Sequence, residues 1–367
     1  MVYVYDPTCE GFQHVEFNTF FINAVSKAID SELCFYSEKE HGDYVKERLE
    51  KEGIKISYKE RAVFNENNKI KRFLRIFKEY KNLINSAKNN KINKIVVTVA
   101  RKYEVVILNW LARSFEGKIY MLFHAHLSIV MNSNYYRNII ANHTANNVKY
   151  IVLSKSIKNS MIEVAPKLKD KIVAIHHALP SEGVLDKHLV DLEHIRFGFI
   201  GIATQEKGMR SICNIVNSVN SKNAGFYYCG VIHDNGIIKQ LEDAGVTVKG
   251  GRTPLSFDQY KESIRSLDYV VLLLEPKAYE YRVSGTLIDA VNNERPIIVL
   301  SNKYSDEVFE EFGEIGYLCK DENEINVRIR NILGRFSQDE YDLQVDAMRK
   351  MKCEMTVDVV VKELLGL

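Results

Sequence analysis

Short apolar runs of strand length alternate with amphipathic helical stretches along the whole chain, and they do so in two separate series. No other feature constrains the fold as strongly. A helix after each strand leaves only parallel pairing, so helices cover both faces of a sheet and the strands read as nearly continuous apolar runs. The first series places strands at residues 2–5, 33–36, 54–58, 94–99, 119–123, 150–153 and 172–175; the second places them at 196–200, 226–230, 246–249, 269–274 and 296–300. The expectation is an α/β chain with two doubly wound sheets. A polar segment at 179–194, with Pro180 and Gly183, reads as the linker. The domains are therefore expected at residues 1–180 and 195–350. After Gly316 the pattern reads as helical to the end, and a helix at about 355–367 is expected to pack back onto the first domain.

A chain of 367 residues supports two cores and a cleft between them. Its 50 Lys+Arg against 48 Asp+Glu leave a net charge of +2, which offers no global attraction to nucleic acid. Six cysteines are scattered without zinc or disulfide spacing, which fits reduced thiols in a cytoplasm. No run approaches the roughly 20 apolar residues of a membrane span, and the first residues lack the pattern of a secretory signal.

Two loops carry the strongest chemical signal. In RFGFIGIATQEKGMRS a strand ends at Gly201 and a polar loop runs through Lys207 and Gly208 into a helix. Glycine at the strand end admits a ligand close to the backbone, while the lysine and the helix N-terminus offer positive potential to a phosphate. About 80 residues on, YVVLLLEPKAYEYRVSGTLIDAV repeats the strand, loop and helix. Ser284, Gly285 and Thr286 stand at the helix entry, where amides and hydroxyls can hold a diphosphate, and Asp289 one turn later can accept from a ribose diol. An ordinary capped helix with a solvated Asp is the competing reading.

Together these loops resemble the C-terminal domain of retaining GT-B glycosyltransferases of family four, over residues 148–318. Gly201, Lys207 and Gly208 match the first loop; Ser284, Gly285, Leu287, Asp289, Ala290 and Pro296–Ile298 match the second. The resemblance implies two Rossmann-like domains facing each other across a cleft. It also implies a nucleotide-sugar donor, UDP-linked by preference, and a glycan or lipid-linked acceptor of bacterial surface polysaccharide synthesis. No cofactor or metal is implied, since helix dipoles and basic side chains stand in for a cation. The segment VKGGRTPLS, with Arg252, is similar to the family's loop near the nucleobase. Donor-binding residues would be Gly201, Lys207, Arg252, Arg282, Ser284, Gly285, Thr286 and Asp289. Two positions depart from the family: Ile202 stands where an Arg is common, and the expected first acid of the second motif falls on Tyr281, between Glu280 and Arg282. A GT-B sugar-nucleotide 2-epimerase and a catalytically silent GT-B partner protein are the alternatives.

In the first domain, Gly11 and His14 lie after the opening strand, on the side where such enzymes face the acceptor. His124 and His126 follow the fifth strand, at an end where α/β sheets gather ligands. The resemblance puts His124 on the donor sugar, with His126 as competitor, so the candidate catalytic residues are His124, Lys207 and Glu280. The adjacent His176 and His177 read as structural. Lastly, the segment at residues 68–94 is expected to be helical, basic along Lys71, Arg72, Arg75 and Lys78 and apolar along Phe73, Phe77, Tyr80 and Ile84. Such a helix either packs its apolar side into the core or lies on an anionic leaflet, as peripheral membrane contact at the inner face would require.

Overall fold

The structure, a computed structural model, describes residues 1–29, 31–63, 67–124, 126–177, 179, 183, 185–204 and 207–365. Pro180 of the expected linker lies outside these residues, as do Gln205 and Glu206 of the loop before Lys207. The chain divides into two compact units. The first comprises residues 1–178, 281–283 and 355–367, and the second residues 179–280 and 284–354.

The first unit is built on strands β1 (Val2–Tyr5), β2 (Leu33–Ser37), β3 (Ser57–Glu60), β4 (Lys94–Val97), β5 (Lys118–Phe123), β6 (Val148–Val152) and β7 (Ile172–Ala174). They form one parallel sheet in the order β3-β2-β1-β4-β5-β6-β7. The apolar runs are central: Val4, Phe35, Ile95, Val97 and Ile151 are fully buried, as strands covered on both faces must be. β3 lies later than residues 54–58. The sheet edge takes the polar stretch Ser57–Glu60, because an edge strand needs backbone pairing with β2 more than it needs apolar side chains. Helix Val357–Leu364 packs on helix Val15–Ile29, with Lys27 paired to Asp358 at 3.1 Å.

The second unit holds β8 (Ile195–Ile202), β9 (Ala224–Val231), β10 (Val246–Gly251), β11 (Tyr269–Leu272), β12 (Ile297–Leu300) and β13 (Gly316–Cys319), parallel in the order β10-β9-β8-β11-β12-β13. β13 falls where the pattern reads as helical. Its Gly-Tyr-Leu-Cys holds no β-branched residue, and its opening glycine sits at φ +146°, where a Cβ would meet the Ile297 carbonyl oxygen at 2.0 Å. Phe197, Tyr269, Ile298, Ile325 and Ile329 are among the residues that fill its core.

In both sheets the strand order reverses once, between β1 and β4 and between β8 and β11. Helices leave a doubly wound sheet on opposite faces at such a point, which opens a crevice at the carboxyl ends of the two strands.

Candidate functional site

At the β8/β11 reversal the chain closes tightly around Gly201. Its φ is +92°, and a Cβ there would lie 2.6 Å from Thr286 Cγ2 and 2.8 Å from Lys207 Nζ. The lysine and the helix-entry threonine, far apart in sequence, therefore converge on one glycine. Gly208 caps helix Met209–Val219 in the left-handed region, and a Cβ on it would strike Leu273 Cβ at 2.5 Å, so the loop approaches β11 closely only as glycine.

Ser284 is the N-cap of helix Gly285–Asn292: its Oγ accepts from the Leu287 amide at 3.2 Å and shares a 3.0 Å bond with the Thr286 hydroxyl. Gly285 is exposed at the helix entry, whereas Ser284 and Thr286 are buried. Asp289, one turn on, accepts a 2.9 Å bond from the Tyr260 hydroxyl. Burial raises its carboxyl to about 6, against the opposing pull of that bond and of Lys207. The site thus combines a cation, a helix N-terminus and an acceptor carboxylate. Tyr260 escapes sequence reasoning, because only the fold brings helix Phe257–Arg265 beside Asp289.

Other candidates in this unit stand further out. Arg252 is exposed on the loop after β10, and β9 separates that strand from β8. Glu280 is paired with Lys303 at 3.3 Å. Ile202, in the place of the family's arginine, is 53% exposed. At the amino-terminal strand ends, buried Glu294 pairs with Lys352 and Arg349 while buried Asp268 pairs with Arg196 and His188. His188, Glu294 and Arg349 line a cavity at the end of the sheet opposite the Gly201 cluster, and the pairs of Glu294 with Arg349 and Lys352 lock helix Gln338–Glu354 to the sheet.

The first unit's reversal gathers imidazoles. His14 and His124 meet edge to face at 4.5 Å, Phe17 lies 4.0 Å from His124, and His177 lies 6.2 Å from His124. Burial, then the neighbouring imidazoles, pulls the His124 pKa well down, so its ring is neutral at pH 7. Its Nδ1 is buried without a hydrogen-bond partner among the described residues. His126 is also pulled down, by burial and then by Arg101, with a smaller contribution from Arg282. The histidine pair at the end of β7 divides. His176 holds Glu363 through its backbone amide and its ring, at 2.8 and 2.5 Å, while His177 joins the cluster. Adjacent residues on an extended end point oppositely, which adjacency in sequence cannot rank.

His14 sits at φ +53°, a costly setting for a residue with a Cβ, and its carbonyl starts helix Val15–Ile29. A buried hub holds it there. Asp6 accepts from the amides of Thr8 and Cys9 at 2.8 and 2.7 Å, from Asn18 Nδ2 at 2.8 Å and from the Thr98 hydroxyl at 2.7 Å. Asn18 Nδ2 also contacts His41 Nε2 at 2.8 Å, His41 Nδ1 contacts the Gly11 carbonyl at 3.0 Å, and the Gly11 amide donates to Glu38 at 3.1 Å. Gly11 is thus gripped on both sides at φ +51°. The ligand atoms of Asp6, Cys9 and His41 lie within 4.8 Å of one another, which is metal-site spacing. Their donor set fits a metal poorly: both Asp6 oxygens and both His41 nitrogens are engaged within the protein, and burial pushes the Cys9 thiol far up, away from thiolate.

No sequence-family model matches the chain, and no curated protein matches it by sequence. Solved structures do. A glycosyltransferase from Rickettsia africae superposes with a TM-score of 0.72 at 13% identity, covering 99% of this chain and 96% of that one. Anabaena HepE in complex with UDP and glucose gives 0.67 at 12%, over 99% and 97%. WaaG, a glycosyltransferase involved in lipopolysaccharide biosynthesis, gives 0.65 at 11% over the whole of both chains. The two parallel sheets are those of the GT-B glycosyltransferase fold.

Proposed function

We propose that the chain is a glycosyltransferase that moves a sugar from a nucleoside-diphosphate donor to a glycan or lipid-linked acceptor in bacterial surface polysaccharide synthesis. The observation that carries this reading is the convergence of Lys207 Nζ and Thr286 on Gly201 beside the entry of helix Gly285–Asn292. A pyrophosphate needs this combination: backbone without Cβ where the anion must come close, amides aimed outward, and one mobile cation. The bond from the anomeric carbon to the diphosphate breaks, one to the acceptor oxygen forms, and the proton of the acceptor hydroxyl passes to the departing diphosphate. Charge then grows on the leaving oxygen, where Lys207 and the Gly285 and Thr286 amides lower the barrier. Asp289 takes the ribose hydroxyls, with Tyr260 orienting its other face. Arg252 lies toward the base, and Arg282 and Glu280 toward the phosphates and sugar. On this reading no divalent cation is required.

Residues 1–180 take the acceptor side through Gly11, His14 and His126. His124, neutral and with a nitrogen unpartnered among the described residues, bonds a hydroxyl of the transferred sugar. UDP is the favoured nucleotide, supported by the UDP complex of the similarly folded HepE, and retention of configuration is supported by the family-four resemblance of both loops.

A thermal-shift panel of UDP, GDP, ADP and TDP tests the nucleotide. A ligand at a hundred times its Kd adds about 2.7 kcal/mol to the folded state, a rise of a few degrees for UDP alone. If none of the four moves the transition, the nucleotide site is wrong. Binding of UDP together with consumption of its sugar conjugate in the absence of acceptor would select the 2-epimerase, and binding without turnover the silent partner.

A further inference from the structure

Helix Lys69–Asn89 buries only part of the side that its sequence favours. Its core face is Ile76, Tyr80, Leu83, Ile84 and Ala87, and Phe73 and Phe77 are only half-buried, lying 5.7 Å from Tyr103 and 5.4 Å from Trp110. Beyond them the surface is apolar. Ile70 is 72% exposed, and Leu74 and Trp110 are each 59% exposed. Ile70, Leu74 and Phe77 follow the i, i+4, i+7 spacing of one helical row, and the indole extends that row sideways. Cations border it. The helix carries seven Lys or Arg against one acid, Glu79, which is paired with Arg75 at 3.5 Å. In a chain of net charge +2, this is a strong local concentration.

We infer that this surface, Ile70, Leu74 and Trp110 bordered by Lys71, Lys78 and Lys81, docks the protein on a bilayer containing anionic phospholipid. Aliphatic side chains and an indole enter the headgroup boundary, while exposed lysines extend to lipid phosphates. Charge selects this occupant. A second copy would bring the same cationic helix against itself, and a nucleic-acid backbone would gain nothing from the aliphatic row.

Co-sedimentation of the full chain with phosphatidylcholine vesicles, with and without phosphatidylglycerol, tests the inference. Binding is expected only with the anionic lipid and is expected to weaken with salt. Each surface lysine contributes about fivefold, so K71Q/K78Q binds about twenty-fivefold more weakly. L74S/W110S, on residues already exposed, loses at least tenfold. K222Q/K239Q removes the same charge from exposed sites of the second unit and stays within about twofold of the parent. Equal binding to neutral and anionic vesicles overturns the inference, as does no binding to either. So does a dimer in sedimentation velocity that L74S/W110S converts to monomer, which would assign the row to a second copy.

Discussion

The two strand-order reversals share one topology and differ in chemistry. At β8/β11 a glycine opens the backbone at the strand end, and Lys207 and a helix entry supply positive potential. At β1/β4 the loop is long, clamped by a buried carboxylate, and presents imidazoles kept neutral by burial. A reversal of strand order fixes where a ligand can sit; the residues at the strand ends decide what it can be. The first pattern suits a diphosphate. The second suits neutral hydroxyls, for which a cation would be needlessly strong.

Removing the cation should break this contrast most sharply. Lys207→Ala is expected to lower kcat on the true donor by roughly a hundredfold or more, the loss of about 3 kcal/mol of leaving-group stabilisation. His124→Ala in the other unit should lower it by much less. Steady-state release of nucleotide from donor plus acceptor measures both. Near-normal turnover by the lysine variant would remove the diphosphate from the β8/β11 end.

The clamp comes next. Asp6→Asn replaces an acceptor oxygen with a donor amide that faces other donors, and should destabilise the fold by about 3 kcal/mol. Its pH dependence is a second signature. Burial raises the Asp6 pKa, but the Cys9 and Thr8 amides and the Thr98 hydroxyl more than reverse this, leaving it lowered. A carboxylate lowered on folding stabilises the protein at neutral pH, and that stability is lost as pH falls through the folded-state value. Denaturant midpoints of the parent below about pH 4 should therefore approach those of the variant. A gap unchanged between pH 7 and pH 3 would mean that Asp6 does not hold the loop as a carboxylate.

Gly201→Ala is smaller and confined to the other end. The added methyl meets Thr286, which is buried, at a φ that disfavours any Cβ, and the cost is about 2 kcal/mol. Lys207 Nζ can swing aside, so the loss should appear in donor KM as well as in a lower Tm. A crystal structure of the variant with the loop unmoved would show that the close packing of Gly201 is not needed.

How much of this was legible beforehand follows from range. Gly201, Lys207 and the Ser284–Thr286 turn are local signals, each with its own turn chemistry, so the sequence places them at the strand end and helix entries where the structure has them. What it lacks is the pairing between loops. Tyr260 on Asp289, His177 beside His124 and the chain of bonds from Asp6 through Asn18 and His41 to Gly11 all need the fold. The amphipathic helix is legible only in part for a related reason: Tyr80 and Ile84 are buried, but its apolar residues span more than one face, and the neighbouring helix Lys102–Leu111, with Trp110, decides which part is covered. β13 goes unread because Gly-Tyr-Leu-Cys begins on a glycine and lacks the β-branched residues of the equally short β1, β11 and β12.

The mildest test concerns the ribose. Asp289 has its carboxyl raised to about 6 by burial, so the folded state holds a proton that the unfolded chain gives up near pH 4. The native state binds more protons through that window, and stability must therefore fall as pH rises from about 4 to about 6, then level off. Because Asp289 keeps some contact with solvent, the effect is about 1 kcal/mol, a shift of roughly 3 °C. Asp289→Asn should remove that slope in thermal melts. Only the ionised carboxylate accepts two ribose hydroxyls, so UDP should bind the parent more weakly below pH 6, while the variant binds about fivefold more weakly at pH 7.5 with little pH dependence. Should calorimetry find parental UDP affinity flat from pH 5 to pH 8, Asp289 would be an internal partner of Tyr260, and the β8/β11 end would keep its phosphate chemistry but lose its claim on the nucleoside.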